Sequence, residues 1–359
     1  MRSSRTFSVA VATIGALGMA VLMTAPASAQ VATGSVSAPI VEGLIGPLGL
    51  AVSDNGTIYV AESFAGQLTR VLPNGNRSVL FASPGNSVNG VATSVAGSVV
   101  IAGGIAGPDP EGPSLDTGLV RVAANGVTKN VASLQDYEVA NNPDGASSYG
   151  FLDLSANCLA KLPPELQPYT GIVDSNAYAV AALSPVSFAA ADAAGNDILR
   201  VTNGQVSTVA VLPGVPQRIS PAAALHNGLP PCTVGHVYTS EPVPTDVEVG
   251  PDGYWYVSSL PGGPELPNTG SVFRINPNNG AVSLVARGLS GAVDLAVAAD
   301  GTIYVAELDA NRISSISNGV VSTVVDLFSP GAIEVATDGT IYATSGVFGP
   351  SGSVVIVTP

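Results

Sequence analysis

Charge is scarce in this 359-residue chain: 11% of residues are Asp, Glu, Lys or Arg, and 12 basic residues face 26 acidic ones. The resulting net charge of −14 repels phosphate backbones and excludes nucleic acid as a partner. Aromatic residues make up only 5%, with one Trp, and there are two His and two Cys. That is too few for a multi-histidine catalytic centre or a disulfide-framework fold. Beyond residue 29 no run approaches the roughly 20 apolar residues that a membrane span needs. What abounds is apolar and turn-forming: 46% hydrophobic residues, 41 Gly and 28 Pro. A chain this apolar can bury enough surface to offset its ordering entropy, which excludes intrinsic disorder.

Residues 1–29 read as a secretory signal peptide. Arg2 and Arg5 precede a run of apolar and small residues to about Met23, and Ala27-Ser28-Ala29 offers a small-x-small cleavage site. No Cys lies near that site, so a lipid anchor is not indicated. The expectation is a secreted, monomeric protein with no transmembrane anchor, cleaved near Ala29.

The remainder, 30–359, repeats. The segments beginning at Gly49 (GLAVSDNGTIYVAES), Gly90, Asp246, Asp294 (DLAVAADGTIYVAEL) and Ala332 share one plan: a short apolar strand, a turn with Gly at 56, 97, 253, 301 or 339, and a second apolar strand. Asp-Gly and Asn-Gly supply positive φ cheaply, which hairpin turns require. A degenerate copy starts at Tyr178, with Pro-Val-Ser in place of the Gly turn. Third strands follow (QLTRV, GLVRV, DILRV, SVFRI, RISSI, SVVIV), then usually a second Asn/Gly turn and a fourth strand. Four short strands per unit of about 40 residues is the pattern of a propeller blade. Six units fit, and the last ends after its third strand. VSAPIVEGL (36–44) matches the fourth strands elsewhere. The fold predicted is therefore an all-β, six-bladed β-propeller whose N-terminal strand completes the last blade and removes the free sheet edge.

Two insertions, 131–173 and 213–243, interrupt the period between a fourth strand and the next first strand. They share a face with the long second-to-third loops at 104–118 and 260–270, and they predict a cap there. Cys158 and Cys232 lie one in each insertion. An exported pair of this kind predicts a disulfide clipping the insertions together. The rival is a metal site built with His226 and His236, although their spacing matches no standard zinc module.

Aligned second-strand ends read Glu62, Gly103, Asp192, Ser259, Glu307 and Ser345, and Asp246 and Asp294 open two first strands. Residues 141–145 (NNPDG) and 174–176 (DSN, containing Asn176) add oxygen donors. An acidic mouth of this kind suits Ca²⁺, another divalent cation or a cationic ligand. Alternatively, the acids cap strand ends and keep the surface solvated. No nucleophile elbow or phosphate-binding glycine loop stands in its required context. Arg70, Arg121, Arg200 and Arg274 recur at one third-strand position and read as structural cross-blade donors.

The hairpins PDGYWYV, DGTIYVAELD and AAGNDILRV resemble NHL-type propeller repeats. The ordered motifs YEVANNPDG (137–145), DSNAYAVAAL (174–183), GNDILRV and TDVEVGPDG resemble the ScyD/ScyE family of secreted bacterial proteins over nearly the whole mature chain. The resemblance implies an exported six-bladed propeller and carries no catalytic residues to transfer. The expectation is a non-catalytic binding or scaffold protein that recognises an unidentified ligand or partner through Glu62, Asp192, Glu307, Asp246, Asp294 and Asn176. The alternative is a metal-dependent, lactonase-like hydrolase with a divalent ion at the central channel, held by Asp246, Asp294, Asn176 and Glu307.

Overall fold

The computed structural model describes residues 34–94, 97–104, 117–264 and 266–359. The signal peptide expected at 1–29 and most of the loop expected at 104–118 lie outside them. Among the described residues no helix is long and apolar enough to cross a membrane.

Six antiparallel sheets follow the repeat. Blade 1 holds Pro47–Val52, Ile58–Glu62, Gln67–Val71 and Arg77–Ala82. Blade 2 holds Ser87–Thr93, Val99–Gly104, Thr117–Val122 and Thr128–Ser133. Blade 3 holds Ala177–Ser184, Ser187–Asp192, Asp197–Thr202 and Gln205–Val211. Blade 4 holds Pro244–Val249, Trp255–Ser259, Gly270–Ile275 and Val282–Leu289. Blade 5 holds Ala292–Val297, Ile303–Glu307, Arg312–Ser317 and Val320–Asp326. Blade 6 takes Ile333–Val335, Ile341–Ser345 and Gly352–Thr358 from the end of the chain, and Val41–Leu44 and Ser35–Val36 from its other side. Val41 pairs with Val354, Leu44 with Gly352 and Ser35 with Thr358. The expected strand exchange is present.

The hairpin chemistry acts as the sequence suggests. In the turn before Ile303, Asp300 Oδ1 accepts the Thr302 N–H at 2.9 Å while Gly301 adopts φ +87°. A side chain at Gly301 would be strained there, and Asp supplies the backbone's missing acceptor.

First strands of successive blades touch in cyclic order, and blade 6 returns to blade 1. The cores lie between blades rather than within them. Tyr59, Leu68, Ile101 and Val122 fill the space between blades 1 and 2, and Val41, Leu44, Val60 and Val354 fill the space between blades 6 and 1. Both faces of inner strands such as Ile58–Glu62 and Ser187–Asp192 are therefore buried, which accounts for their near-continuous apolar runs, whereas outer fourth strands such as Arg77–Ala82 and Thr128–Ser133 stay largely exposed. Burial of each such Val, Leu or Ile contributes about 1.5–3 kcal/mol.

The third-strand arginines bond across blades in three cases of four. Arg70 reaches the Ala124 carbonyl at 2.9 Å, Arg121 the Pro185 carbonyl at 2.5 Å and Arg200 the Pro277 carbonyl at 2.9 Å. Arg274 instead pairs with Asp252 in its own blade at 2.8 Å and covers the Tyr254 ring.

The two insertions build a further four-stranded sheet. Ser148–Phe151 and Tyr169–Thr170 come from the first insertion, and Val215–Arg218 and Val237–Ser240 from the second. They join where Gly150 and Phe151 face Thr239 and Tyr238. The Cys158–Cys232 disulfide forms, with a Cα–Cα distance of 6.0 Å. That excludes the rival metal site, and His236 pairs with Asp153 at 3.2 Å instead. The first insertion starts later than residue 131, because the fourth strand of blade 2 continues to Ser133, whose hydroxyl caps a helix over Leu134–Asn141. No repeat signals that helix: only Leu134 and Tyr137 pack inward, beside the buried Glu138, while Val139 is exposed, so it carries no apolar stripe.

Candidate functional site

The column of second-strand ends has one repeated use. Glu62 Oε2 accepts the Ile45 N–H at 2.7 Å, Glu307 Oε2 the Ser290 N–H at 2.8 Å, and Asp192 Oδ1 the Asn176 N–H at 2.7 Å. Ser345 donates to the Phe328 carbonyl at 2.8 Å, and Ser259 donates to the Pro242 carbonyl. Each residue clasps the loop that enters its own blade. Glu62 and Glu307 also accept from Thr69 and Ser314 on the adjacent third strand, and Arg312 binds Glu307 at 2.7 Å. The oxygens of Glu62, Asp192 and Glu307 are thus occupied within their own blades, so these acids stand apart from one another.

Asp246 and Asp294 occupy a different place, the axis of the ring. They line a central cavity of about 10 Å³ with Glu248, Glu334, Asn89 and Tyr178, room for about one water molecule. Here too the acids bind neighbouring strands. Asp246 Oδ2 accepts the Leu295 N–H at 3.1 Å, Asp294 Oδ1 the Ile333 N–H at 2.9 Å, and Glu334 the Val52 N–H. On the opposite side of the axis small residues replace them. A Cβ on Gly90 would stand 2.7 Å from the Ala179 Cα, and one on Gly49 would stand 2.4 Å from the Asn89 carbonyl oxygen. Among the described residues no Lys or Arg forms an ion pair with the four channel carboxylates. Burial pushes Asp246 up to about 7 and, with Asp246 beside it, Glu334 up to about 8. Glu248 and Asp294 are raised for the same reasons. Asn176 stands apart from this group, with its Oδ1 accepting from Asn89 at 3.3 Å. The four ligands expected for a channel ion therefore do not gather at one point: two line the axis, Glu307 holds its own loop, and Asn176 braces Asn89.

Sequence reasoning missed Glu248 and Glu334. Glu334 is the one acid of Ile333–Val335, and Asp246 and Glu248, two apart on Pro244–Val249, share one face. That alternation was the available signal.

A second location lies beside the sheet built by the two insertions. A cavity of about 740 Å³ opens there, with an apolar wall of Leu166, Pro168 and Ile172 and with Tyr169, Tyr238 and Glu241 as its polar edge. Glu241 is half-buried, and its carboxyl is raised first by burial, then by Asp144 and Asp174, while a hydrogen bond with Tyr169 opposes the rise. Burial likewise pushes the Tyr169 hydroxyl up, with Glu241 next in effect. Apolar walls with a few convergent polar groups and a perturbed carboxyl are the usual composition of a small-molecule site. Glu241 carried no signal in the sequence: it precedes Pro242 in an insertion with no repeat to align.

Among the described residues no group of three or more His, Cys, Asp or Glu side chains stands in an arrangement that would hold a metal ion as it is.

These features define a β-propeller, and comparison with solved structures agrees. The chain is similar to virginiamycin B lyase from Staphylococcus aureus (16% identity, 91% of this chain and 99% of that chain, TM-score 0.51). It is also similar to a gluconolactonase from Xanthomonas campestris (12%, 89% of each chain, 0.51) and to a putative glucose dehydrogenase from Thermus thermophilus (16%, 90% and 100%, 0.56). At these identities the likeness shows the fold. No protein-family model and no curated protein matches the chain. The expectation of a non-catalytic scaffold is corrected by this comparison. The named chains that share the fold over nearly their whole length are a lyase, a lactonase and a dehydrogenase, so the fold gives no ground for a non-catalytic role.

Proposed function

We propose that this protein is an exported propeller enzyme of the ScyD/ScyE type that hydrolyses a small ester or lactone with an apolar body, in the cavity beside the insertion sheet. The observation that carries this reading is Glu241: a carboxyl raised by burial, hydrogen-bonded to Tyr169, at the edge of a cavity of about 740 Å³. A carboxyl whose affinity for protons lies closer to neutrality than usual exchanges protons effectively with a reacting group. Ionised Glu241 takes a proton from the attacking water and returns it to the leaving alkoxide, while the Tyr169 hydroxyl turns its single proton from Glu241 to the carbonyl oxygen as negative charge develops there. Leu166, Pro168 and Ile172 hold the apolar part of the substrate and exclude bulk water. The lactonase named among the structural neighbours is consistent with this chemistry. Export is supported by the N-terminal residue pattern and by the disulfide, a bond that persists in oxidising compartments.

The test is a hydrolysis screen of the chain from residue 30 onward against five- and six-membered lactones and aryl esters, repeated with Glu241→Gln. The expected result is turnover of at least one apolar member and a fall of about 10²-fold or more in the variant, with an unchanged melting temperature. Turnover that survives the substitution, or none across the panel, overturns the assignment.

A further inference from the structure

A third acidic group lies where the first insertion meets blade 3, and the hydrolytic reading makes no use of it. Glu138 stands on the helix Leu134–Asn141, Asp144 on the loop that follows, and Asp197 at the start of the third strand of blade 3. They are 2%, 1% and 1% exposed. Their mutual influence shows that they are neighbours: Glu138 feels Asp192 and Asp144, and Asp197 feels Asp192, Glu138 and Asp144. Gly195 sits between them, where a Cβ would stand 3.3 Å from the Asp192 carboxyl carbon and 3.4 Å from Glu138 Oε2.

Four carboxylate oxygens of this group are buried without a hydrogen-bond partner: both of Asp197, Oε1 of Glu138 and Oδ1 of Asp144. Asn142 Oδ1, on the same loop, is also unpartnered. The contrast with Asp192 is informative. Its oxygens are engaged by Ser175, Asn176 and Gly195, so this location can satisfy a carboxylate fully with protein donors and does so for one only, Glu138 having the Asp174 backbone alone. Asp144 has Tyr149 and Asn196 on its other oxygen. Among the described residues no Lys, Arg or His pairs with any of them. Leaving several carboxylates buried and unpaired is strongly unfavourable, and folded chains resolve it with protons or with a cation.

We propose that Glu138, Asp144 and Asp197 form a Ca²⁺ site that pins the first insertion to blade 3. The donors are all oxygen, both Cys are consumed in the disulfide and both His lie elsewhere in the cap, which disfavours zinc. Ca²⁺ accepts six to eight oxygen ligands at about 2.3–2.6 Å in flexible geometry. It tolerates carboxylates arriving from a helix, a loop and a strand, where Mg²⁺ demands a near-regular octahedron. Small side-chain rotations draw the carboxylates together, and water with the Asn142 amide oxygen completes the shell. The ion offsets the repulsion that now falls on Glu138 and Asp197. The insertion that carries the disulfide and the walls of the substrate cavity is thereby held to the ring.

The test uses the full chain from residue 30 after EDTA treatment and dialysis. Calorimetric titration with CaCl₂ is expected to show one ion per chain, with MgCl₂ at least about tenfold weaker, and the melting temperature is expected to rise by several degrees in CaCl₂. Asp197→Asn, nearly isosteric, is expected to abolish both effects while leaving the far-ultraviolet circular dichroism unchanged. Glu138→Gln serves if that variant does not fold. Glu334→Gln, in the channel, is expected to keep both effects, and Glu241→Gln is expected to keep them too, which separates this site from the hydrolytic one. Absence of heat and of any melting shift in the unsubstituted chain overturns the proposal in favour of shared protons. So does binding that survives at Asp197→Asn, or binding lost at Glu334→Gln alone.

Discussion

Val41 stands opposite Val354, and through that pairing a segment from one side of the chain becomes the outer strand of a sheet built by the other. Thr344, in the second strand of the same blade, adds a link to blade 1. It is fully buried, donates to the Pro47 carbonyl at 2.8 Å and accepts from the Gly331 and Ala332 N–H groups. Thr344→Val keeps the shape and leaves these three backbone groups without a partner. A loss of about 2–4 kcal/mol is expected from buried unsatisfied groups, read from urea unfolding. A change below about 0.5 kcal/mol would show that the seam between blades 6 and 1 does not depend on this hydroxyl.

The channel carboxylates predict an unusual pH dependence. Asp246 and Glu334 bind protons in the folded chain up to about pH 7 and 8, against ordinary carboxylate values near 4 in the unfolded chain. Between those limits the folded state holds more protons, so the contribution of these two groups to stability is fully present below about pH 4 and is lost as pH rises toward 8. Urea midpoints measured from pH 5 to 8 should decrease, and Glu334→Gln should flatten the slope. Midpoints that rise over this range would show that these groups do not govern it.

Gly90 tests the other side of the axis. Its missing Cβ lets the first strands of blades 2 and 3 approach, and a methyl there would meet the Ala179 Cα and the Tyr178 carbonyl oxygen at 2.7 Å each. These are backbone atoms and cannot rotate away. Gly90→Ala should cost about 1–3 kcal/mol, whereas the same change at Gly263, where nothing lies within 4 Å, should cost far less. Similar losses at both positions would refute close packing as the cause.

The disulfide spans a sequence separation of 74 residues. Reduction, or the paired change Cys158→Ser and Cys232→Ser, should cost about 4 kcal/mol from loop entropy alone. Limited proteolysis should then cut within 134–173 and 213–240 before any blade. First cuts inside Ile303–Glu307 or another blade strand would mean that the cap and the ring unfold together.

Much of the ring was legible because its signals are local and repeated. The Asp-Gly turns, the apolar strand pairs and the stray fourth-strand copy at 36–44 each announce a short-range geometry. The acids were harder to read. Glu62, Asp192 and Glu307 look like a ligand column in alignment, yet in space each serves the loop before it, because an open loop N–H needs an acceptor more than the mouth needs charge. Glu248 and Glu334 were obscured by their apolar neighbours, while Glu138 and Asp144 meet Asp197, and Glu241 meets Tyr169, only through insertions whose path no repeat dictates. Long-range convergence of this kind leaves no period in the sequence.

Ser35 lies beside Thr358 in the finished blade. A short linker could join these two strands without disturbing any sheet, and fresh termini could then be opened at a Gly turn elsewhere on the ring. Circularly permuted versions should therefore fold, which would let a reporter domain be placed at a blade turn such as that at Gly301.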